Sequence, residues 1–471
     1  MIKSEDIYLK SPIFFQKILF NMYAYKISKL KFQKDFYIRL HELKKSQWYT
    51  LSDLEALQLE KLKIMIRHCY ENVPYYKKLF DEIKLKPSEI RDLENLNRIP
   101  ILTRDQVKSN LFSLTARNIS KKQRLLRNTS GTTGSPMFFF VDKKSYSVNR
   151  AYTWRYWNWA EFNFDDKRIS LQGRKIIHRE RIKPPFWMNN KWDKQLIFST
   201  YHLSEDVMPY FVEKLLKFSP QAIDAYPSAI YVLAKYMDEN NIKHKMKAVF
   251  TSSETLYPIQ REIVERVFQC KIFDKYGLSE MFFVATECEQ HKGLHLNMEY
   301  VITQVLDKKD EPLSPGKEGR VVCTGLENFS MPLIRYDTGD VSNILPQKCP
   351  CRREFPLIDP VTTKAEDQIL TPEGKYISGS LLTFPFKPMT NIKKSQIIQE
   401  DINTVRVKIV KNGKYCEENS RQLIERMKKC LGKSIEIKLE FVNDICRTEN
   451  GKYRWVISNV YRKMDFEKDN V

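Results

Sequence analysis

From about residue 200 onward, short strand-like runs alternate with helical stretches, and this alternation leaves few folds open to the chain. Ala222 to Tyr226, Ala248 to Thr251 and Lys271 to Phe273 are apolar enough to be buried strands, while Ile259 to Phe268 repeats at helical spacing. A strand that returns through a helix pairs parallel to its predecessor, so the pattern predicts an α/β fold with a mostly parallel sheet. Val301 to Leu306, Gly319 to Thr324 and Val341 to Leu345 then read as short strands of a more β-rich module. In the last hundred or so residues Val405, Val407 and Ile409 alternate with Arg406 and Lys408, and a helix ends at Gly432. Ile435, Ile437, Leu439 and Phe441 alternate again, which predicts a small α+β domain.

At 471 residues the chain is too long for one simple core. The expected division is a helical extension over 1–50, a large domain over 51–365 and a small terminal domain over 366–471, its start just before the turn at Pro372-Glu-Gly374. The first 50 residues mix Phe14, Phe15, Ile18, Leu19, Phe20, Tyr23 and Tyr25 with lysine. That mixture suits either a helix packed on the main body or a basic amphipathic surface for anionic lipid. Ser52-Asp-Leu-Glu55 has the form of a capping box, and Leu54, Leu57, Leu62, Met65 and Cys69 follow at helical spacing until Pro74.

Hydrophobic residues at 42% provide for packed cores, and 79 basic against 58 acidic residues give a formal charge of +21, which favours anionic partners. The excess is not gathered into a basic tail, and no zinc-finger, RRM or basic-zipper pattern appears, which argues against a dedicated nucleic-acid reader. Apolar runs such as Pro12 to Phe15 fall far short of a bilayer span, and Met1 to Lys10 lacks a signal peptide's apolar core. Nine scattered cysteines fit reduced thiols, so a cytoplasmic location is expected.

Four short segments carry the chemistry. Asn128-Thr-Ser-Gly-Thr-Thr-Gly-Ser-Pro136 places hydroxyls and two glycines ahead of the expected strand Phe138 to Val141. Glycine lets backbone amides approach a phosphate and the hydroxyls add donors, although an ordinary polar turn has the same composition. Asp274-Lys-Tyr-Gly-Leu-Ser-Glu280 follows a strand. There Tyr276 offers a flat face, Gly277 close backbone approach and Glu280 a hard oxygen ligand; the alternative is a capped helix start. Arg335-Tyr-Asp-Thr-Gly-Asp340 puts a carboxylate beside a glycine, either to hold a ribose or to turn a hairpin. Arg447-Thr-Glu-Asn-Gly-Lys-Tyr-Arg454 alone would be a charged hairpin. The whole chain has 14 glycines, yet Gly131, Gly134, Gly277, Gly339 and Gly451 all fall within these segments, which argues against four ordinary turns.

Together and in this order the segments resemble the adenylate-forming superfamily, specifically its phenylacetate-CoA ligase-like branch, whose members include ligases encoded with capsular-polysaccharide genes. The resemblance spans about residues 50 to 460. It implies a large domain with a small mobile C-terminal domain, and ATP- and magnesium-dependent activation of a carboxylic acid to an acyl-adenylate. Ser130, Gly131, Thr132, Thr133 and Gly134 would form the phosphate loop, and Ser253, Glu254 and Thr255 would border the adenine with Tyr276 and Gly277. Asp340 would hold the ribose, Glu280 with Thr133 the magnesium, and Lys452 would be the catalytic lysine. Tyr226, Pro227 and Ser228 match the segment that lines the acyl pocket. At the linker, Thr363 and Lys364 stand where the family has Gly-Arg, so a second ribose contact would fall to a lysine that lacks arginine's planar fork. A hinge near Glu366 would turn the terminal domain toward an acceptor, commonly coenzyme A, with an amine or a sugar hydroxyl as alternatives.

Cys288, His291 and His295, followed by Cys349-Pro-Cys351, gather soft ligands in the β-rich module. Three thiols and one imidazole make a tetrahedral structural zinc site, with either histidine eligible; buried free cysteines are the alternative.

Overall fold

Alternate residues of the strands point to opposite faces, and the structure, a computed structural model, shows each face covered by its own layer. It describes residues 8–129, 137–178, 180–204, 206–254, 256, 258–281, 283–361, 368–386, 388–389, 391–445 and 456–460. Ile223, Val249 and Ile272 bury against helices Met208–Phe218, Pro227–Glu239 and Pro258–Phe268. Their neighbours Ala222, Ala248, Phe250 and Phe273 face the other way, into a core with Tyr152, Trp154, Tyr156 and Trp157 of helix Lys143–Trp159.

Ten strands make the large sheet, in the order Ile344–Leu345, Leu357–Ile358, Leu294–Leu296, Ala285–Glu287, Lys271–Tyr276, Ala248–Ser252, Ala222–Ala225, Arg168–Leu171, Gln195–Phe198, Trp187–Asn190. The parallel run is central, from Gln195–Phe198 to Lys271–Tyr276, and antiparallel strands flank it on both sides. All the sequence-predicted strands of this region fall within it. Beside it, Val301–Leu306, Gly319–Gly325 and Tyr336–Ser342 form a three-stranded antiparallel sheet. The strand expected over Val341 to Leu345 is differently divided: Tyr336–Ser342 belongs to the small sheet and Ile344–Leu345 to the large one. From Tyr336 on, the Arg335 to Asp340 segment is therefore strand rather than hairpin turn, and its glycine, Gly339, lies within that strand at φ +75°.

Two helices, Ile13–Lys31 and Lys34–Ser46, precede a third at Leu51–Asn72. The cap of the third is Thr50, whose hydroxyl accepts from the Asp53 amide at 3.2 Å, two residues earlier than the box predicted at Ser52. Leu54, Leu62, Met65 and Cys69 bury as their spacing requires, and Pro74 opens the next helix, Pro74–Glu82.

The last segment has its own core, in which Val405, Val407 and Ile409 meet Leu423, Met427 and Leu431 of helix Glu417–Leu431. A four-stranded sheet, ordered Glu436–Phe441, Thr404–Lys411, Ile392–Gln399, Val456–Ser458, carries that helix, and the hairpin Gln368–Leu370 to Tyr376–Ser378 turns at Gly374.

Candidate active site

In a parallel sheet the carboxyl ends of the strands share one edge, and ligands dock there. Register pairs Leu171 with Ala225, Ala225 with Thr251 and Ser252 with Lys275, so Tyr226, Ser253, Glu254 and Tyr276 emerge side by side. Ser253 follows its strand at φ +75°, an uncommon conformation for a residue with a Cβ, and it is exposed.

The strand Tyr336–Ser342 meets this edge and ties two of the motifs together. Tyr276 donates its hydroxyl proton to Asp340 Oδ2 at 2.7 Å, and Tyr336 donates to Glu280 Oε1 at 2.8 Å. Burial pushes both phenols well above the usual tyrosine range, and the facing carboxylates of Asp340 and Glu280 push the same way, so both remain protonated donors. Residues 277–281 form an irregular turn closed by the Leu278 amide on the Met281 carbonyl at 2.8 Å, not the capped helix that the sequence also allowed.

Ser130, Gly131, Thr132, Thr133 and Gly134 lie outside the described residues, but the neck of their loop is described. The Thr129 amide donates to the Met137 carbonyl at 2.9 Å, and the Met137 amide donates to Thr129 Oγ1 at 3.1 Å. Arg104 donates to Thr129 Oγ1 at 2.7 Å, and the Tyr336 hydroxyl lies 3.9 Å from Met137 Sδ. The loop therefore leaves and returns next to the tyrosine that holds Glu280. Thr255, Lys364 and Lys452 lie outside the described residues, as does the hinge segment 362–367.

Tyr226 is set by its amide on the Leu171 carbonyl at 3.1 Å, and burial first, then the charge of Glu254, raises its phenol above the ordinary range. Pro227 opens the helix Pro227–Glu239, in which Ser228 also sits. Three neighbours of Tyr226 gave no signal in the sequence: Gly173, Tyr201 and Phe384. A Cβ on Gly173 would lie 2.9 Å from the Phe384 ring and 3.4 Å from that of Tyr226, and the Tyr201 and Phe384 rings stand 5.4 Å apart. Phe384 comes from helix Gly379–Phe386 of the terminal segment, more than 150 positions from Tyr226, so only the fold brings them together. Behind the edge, burial raises Asp274 to about 6 and lowers Lys275 to about 8, while Thr251 donates to Asp274 at 2.6 Å.

A second cluster sits in the antiparallel flank of the large sheet. Cys288, His295, Cys349 and Cys351 are all buried, and their ligand atoms lie within 4.8 Å of one another. Cys288 Sγ is 3.6 Å from Cys349 Sγ, and Cys351 Sγ is 3.3 Å from His295 Nε2. A tetrahedron with zinc–ligand bonds of about 2.0–2.3 Å has ligand–ligand edges of about 3.5–3.8 Å, close to these spacings. His295 Nδ1 lies 3.1 Å from the Phe355 carbonyl; donating there leaves Nε2 as the free lone pair facing the thiols. His291 stands apart, its Nδ1 3.1 Å from Glu287 Oε1 and its ring against Phe273.

Comparisons with known proteins fit this geometry. Residues 369–459 match the family model described as the CapK C-terminal domain. Protein CapK of Staphylococcus aureus is 28% identical over 462 residues, covering 96% of this chain and 99% of that protein. A phenylacetate-coenzyme A ligase of Thermus thermophilus is 26% identical over 342 residues, 67% of this chain and 72% of the relative. In fold, the chain is similar to 2-hydroxyisobutyryl-CoA ligase solved in complex with 2-HIB-AMP and CoA, with a TM-score of 0.63 at 19% identity over 90% of this chain and 94% of that one. These likenesses support the relationship that the motifs led one to expect, to the phenylacetate-CoA ligase and CapK-like branch of the adenylate-forming enzymes.

Proposed function

We propose that the chain uses ATP to activate a carboxylic acid as an acyl-adenylate and passes the acyl group to coenzyme A. The observation that carries this reading is the pair of hydrogen bonds, Tyr276 to Asp340 and Tyr336 to Glu280, made beside the neck of the phosphate loop at the strand ends. The substrate carboxylate forms a bond to the α-phosphorus of ATP as the bond to the leaving pyrophosphate breaks, so negative charge gathers at one place. Ser130, Gly131, Thr132 and Gly134 cradle the phosphates, and Lys452 places its ammonium where the charge develops. Magnesium, held by Glu280 and Thr133, supplies further positive charge when bound. Asp340 accepts the ribose hydroxyls, with Lys364 a second contact, while Ser253, Glu254, Thr255 and Gly277 border the adenine. Tyr226, Pro227 and Ser228 line the acid pocket.

The same reading divides the chain at 365/366, the small domain turning about the linker to exchange Lys452 for the acceptor thiol. A sugar amine or hydroxyl in polysaccharide biosynthesis is the alternative acceptor. Pyrophosphate–ATP exchange across a panel of aryl, acyl and amino acids, followed by an acceptor assay with the best acid, tests both steps. Exchange with none of the panel, by a folded enzyme that also fails to bind ATP, would sink the reading.

For the second cluster we infer a structural zinc held by Cys288, His295, Cys349 and Cys351, which the spacing of the four ligand atoms and the orientation of His295 support. When bound, the ion cross-links the strand pair around His295 to the Cys349–Cys351 loop. Elemental analysis should find one equivalent of zinc, lost in Cys351→Ser together with several degrees of melting temperature. Zinc-free protein after metal-replete growth would refute the site.

A further inference from the structure

A helix that is apolar all round is normally covered all round. Helix Ile13–Lys31 is covered on one side alone. Ile13 and Phe20 pack on a small core of Ile176, Ile177, Met188 and Ile197, and Gln16 and Ala24 are buried. Polar contacts pin the same side: Asn21 donates to the Asn189 carbonyl at 3.1 Å, Ser147 donates to the Lys31 carbonyl at 2.9 Å, and Lys31 pairs with Asp193. The helix is thus an anchored part of the body.

Its opposite side carries Phe14, Phe15, Ile18, Leu19, Met22 and Tyr23, which at about 100° per residue fall on one half of the cylinder. Phe14, Phe15, Met22 and Tyr23 are 65%, 56%, 64% and 63% exposed. Tyr25 extends the stripe to Trp192, their rings 4.6 Å apart, and both are exposed. Tyrosine and tryptophan at the edge of an apolar face suit a water–lipid boundary.

The charge says what covers this face. Between Ile7 and Lys34 there are six lysines and no carboxylate, and Lys10, Lys17, Lys26, Lys29 and Lys34 are exposed. At 100° per residue Lys26 and Lys29 lie within the apolar half itself, where a long stem can bury and the ammonium reach outward. Two copies meeting here would oppose like charges on molecules of net charge +21, whereas an anionic bilayer neutralises them. No helix among the described residues is long and apolar enough to cross a membrane, so the geometry is that of a helix lying in the interface plane.

We propose that the outer face of helix Ile13–Lys31 docks on an anionic lipid surface, seating the enzyme on the membrane. The test is sedimentation of the full-length protein with vesicles of phosphatidylcholine alone, or with about one third phosphatidylglycerol. Binding should appear with the anionic vesicles, weaken as salt is raised, and fall by tenfold or more in Phe15→Glu/Leu19→Glu/Met22→Glu. Lys26→Glu/Lys29→Glu, which reverses two exposed charges and gives up only the Lys29 ammonium's place over the exposed Tyr25 ring, should weaken it about tenfold at little changed melting temperature. No preference for anionic vesicles, or undiminished binding by either variant once circular dichroism shows it folded, would overturn the proposal. So would a dimer in lipid-free solution that the same substitutions dissociate, since the face would then belong to a second copy.

Discussion

Tyr276 and Tyr336 matter through the carboxylates they hold. A phenol 2.7 Å from Asp340 fixes one oxygen of that carboxylate and with it the direction in which the group faces the proposed ribose. Tyr276→Phe removes one neutral donor, so the KM for ATP should rise about three- to tenfold with kcat little changed. Asp340→Asn removes charge-assisted bonds to the nucleotide and should raise it about 10- to 100-fold. Steady-state kinetics at saturating acid separates the two, and equal, negligible effects would deny Asp340 its place. In the core beneath the N-terminal helices Arg155 is fully buried, donating to Glu299 at 2.6 Å and to the Asn297 side chain at 2.5 Å. Ser46 of the second helix donates to the same Glu299 oxygen, so one carboxylate joins the N-terminal helices to the body. Arg155→Ala leaves that carboxylate buried without its cation and should cost about 3–5 kcal/mol in denaturant unfolding. A loss below about 1 kcal/mol would show the pair to be dispensable.

At the scale of elements, the terminal segment leans on the sheet edge where Gly173 makes room for Phe384. Gly173→Ala should cost about 1–3 kcal/mol by overpacking, and distinctly less in a Phe384→Ala background, measured by urea unfolding of the four proteins. Equal cost in both backgrounds would mean that the two residues do not meet in solution. This contact shows where sequence reasoning stops. The strands Ala222–Ala225, Ala248–Ser252 and Lys271–Tyr276 were legible because each is a short apolar run between turn signals, and their alternation with helices implied parallel pairing. The residues of the loop at Gly277 and of the strand at Asp340 were legible because glycine is scarce elsewhere in this chain. Phe384 was not, since a phenylalanine in an apolar helix looks the same whether it faces its own core or another's. Nor was the choice between His291 and His295, which rests on the carbonyl of Phe355 and the carboxylate of Glu287. That Tyr336–Ser342 is a strand was not legible either, since a glycine between Thr338 and Asp340 left a hairpin turn open until the structure placed Gly339 inside the strand at φ +75°.

At the scale of the whole molecule, one face of the chain carries an apolar lysine-rich helix, and the carboxyl edge of its large sheet, with the adjoining strand Tyr336–Ser342, carries the tyrosine–carboxylate pairs proposed to hold a nucleotide. The central claim is that segments hundreds of residues apart converge on one nucleoside triphosphate. The most direct measurement is pyrophosphate–ATP exchange by wild type, Glu280→Gln and Lys452→Ala, each shown to be folded. The account predicts exchange with at least one acid for the wild type and a loss of about 10²- to 10³-fold in each variant. Folded variants that exchange as fast as the wild type would contradict it.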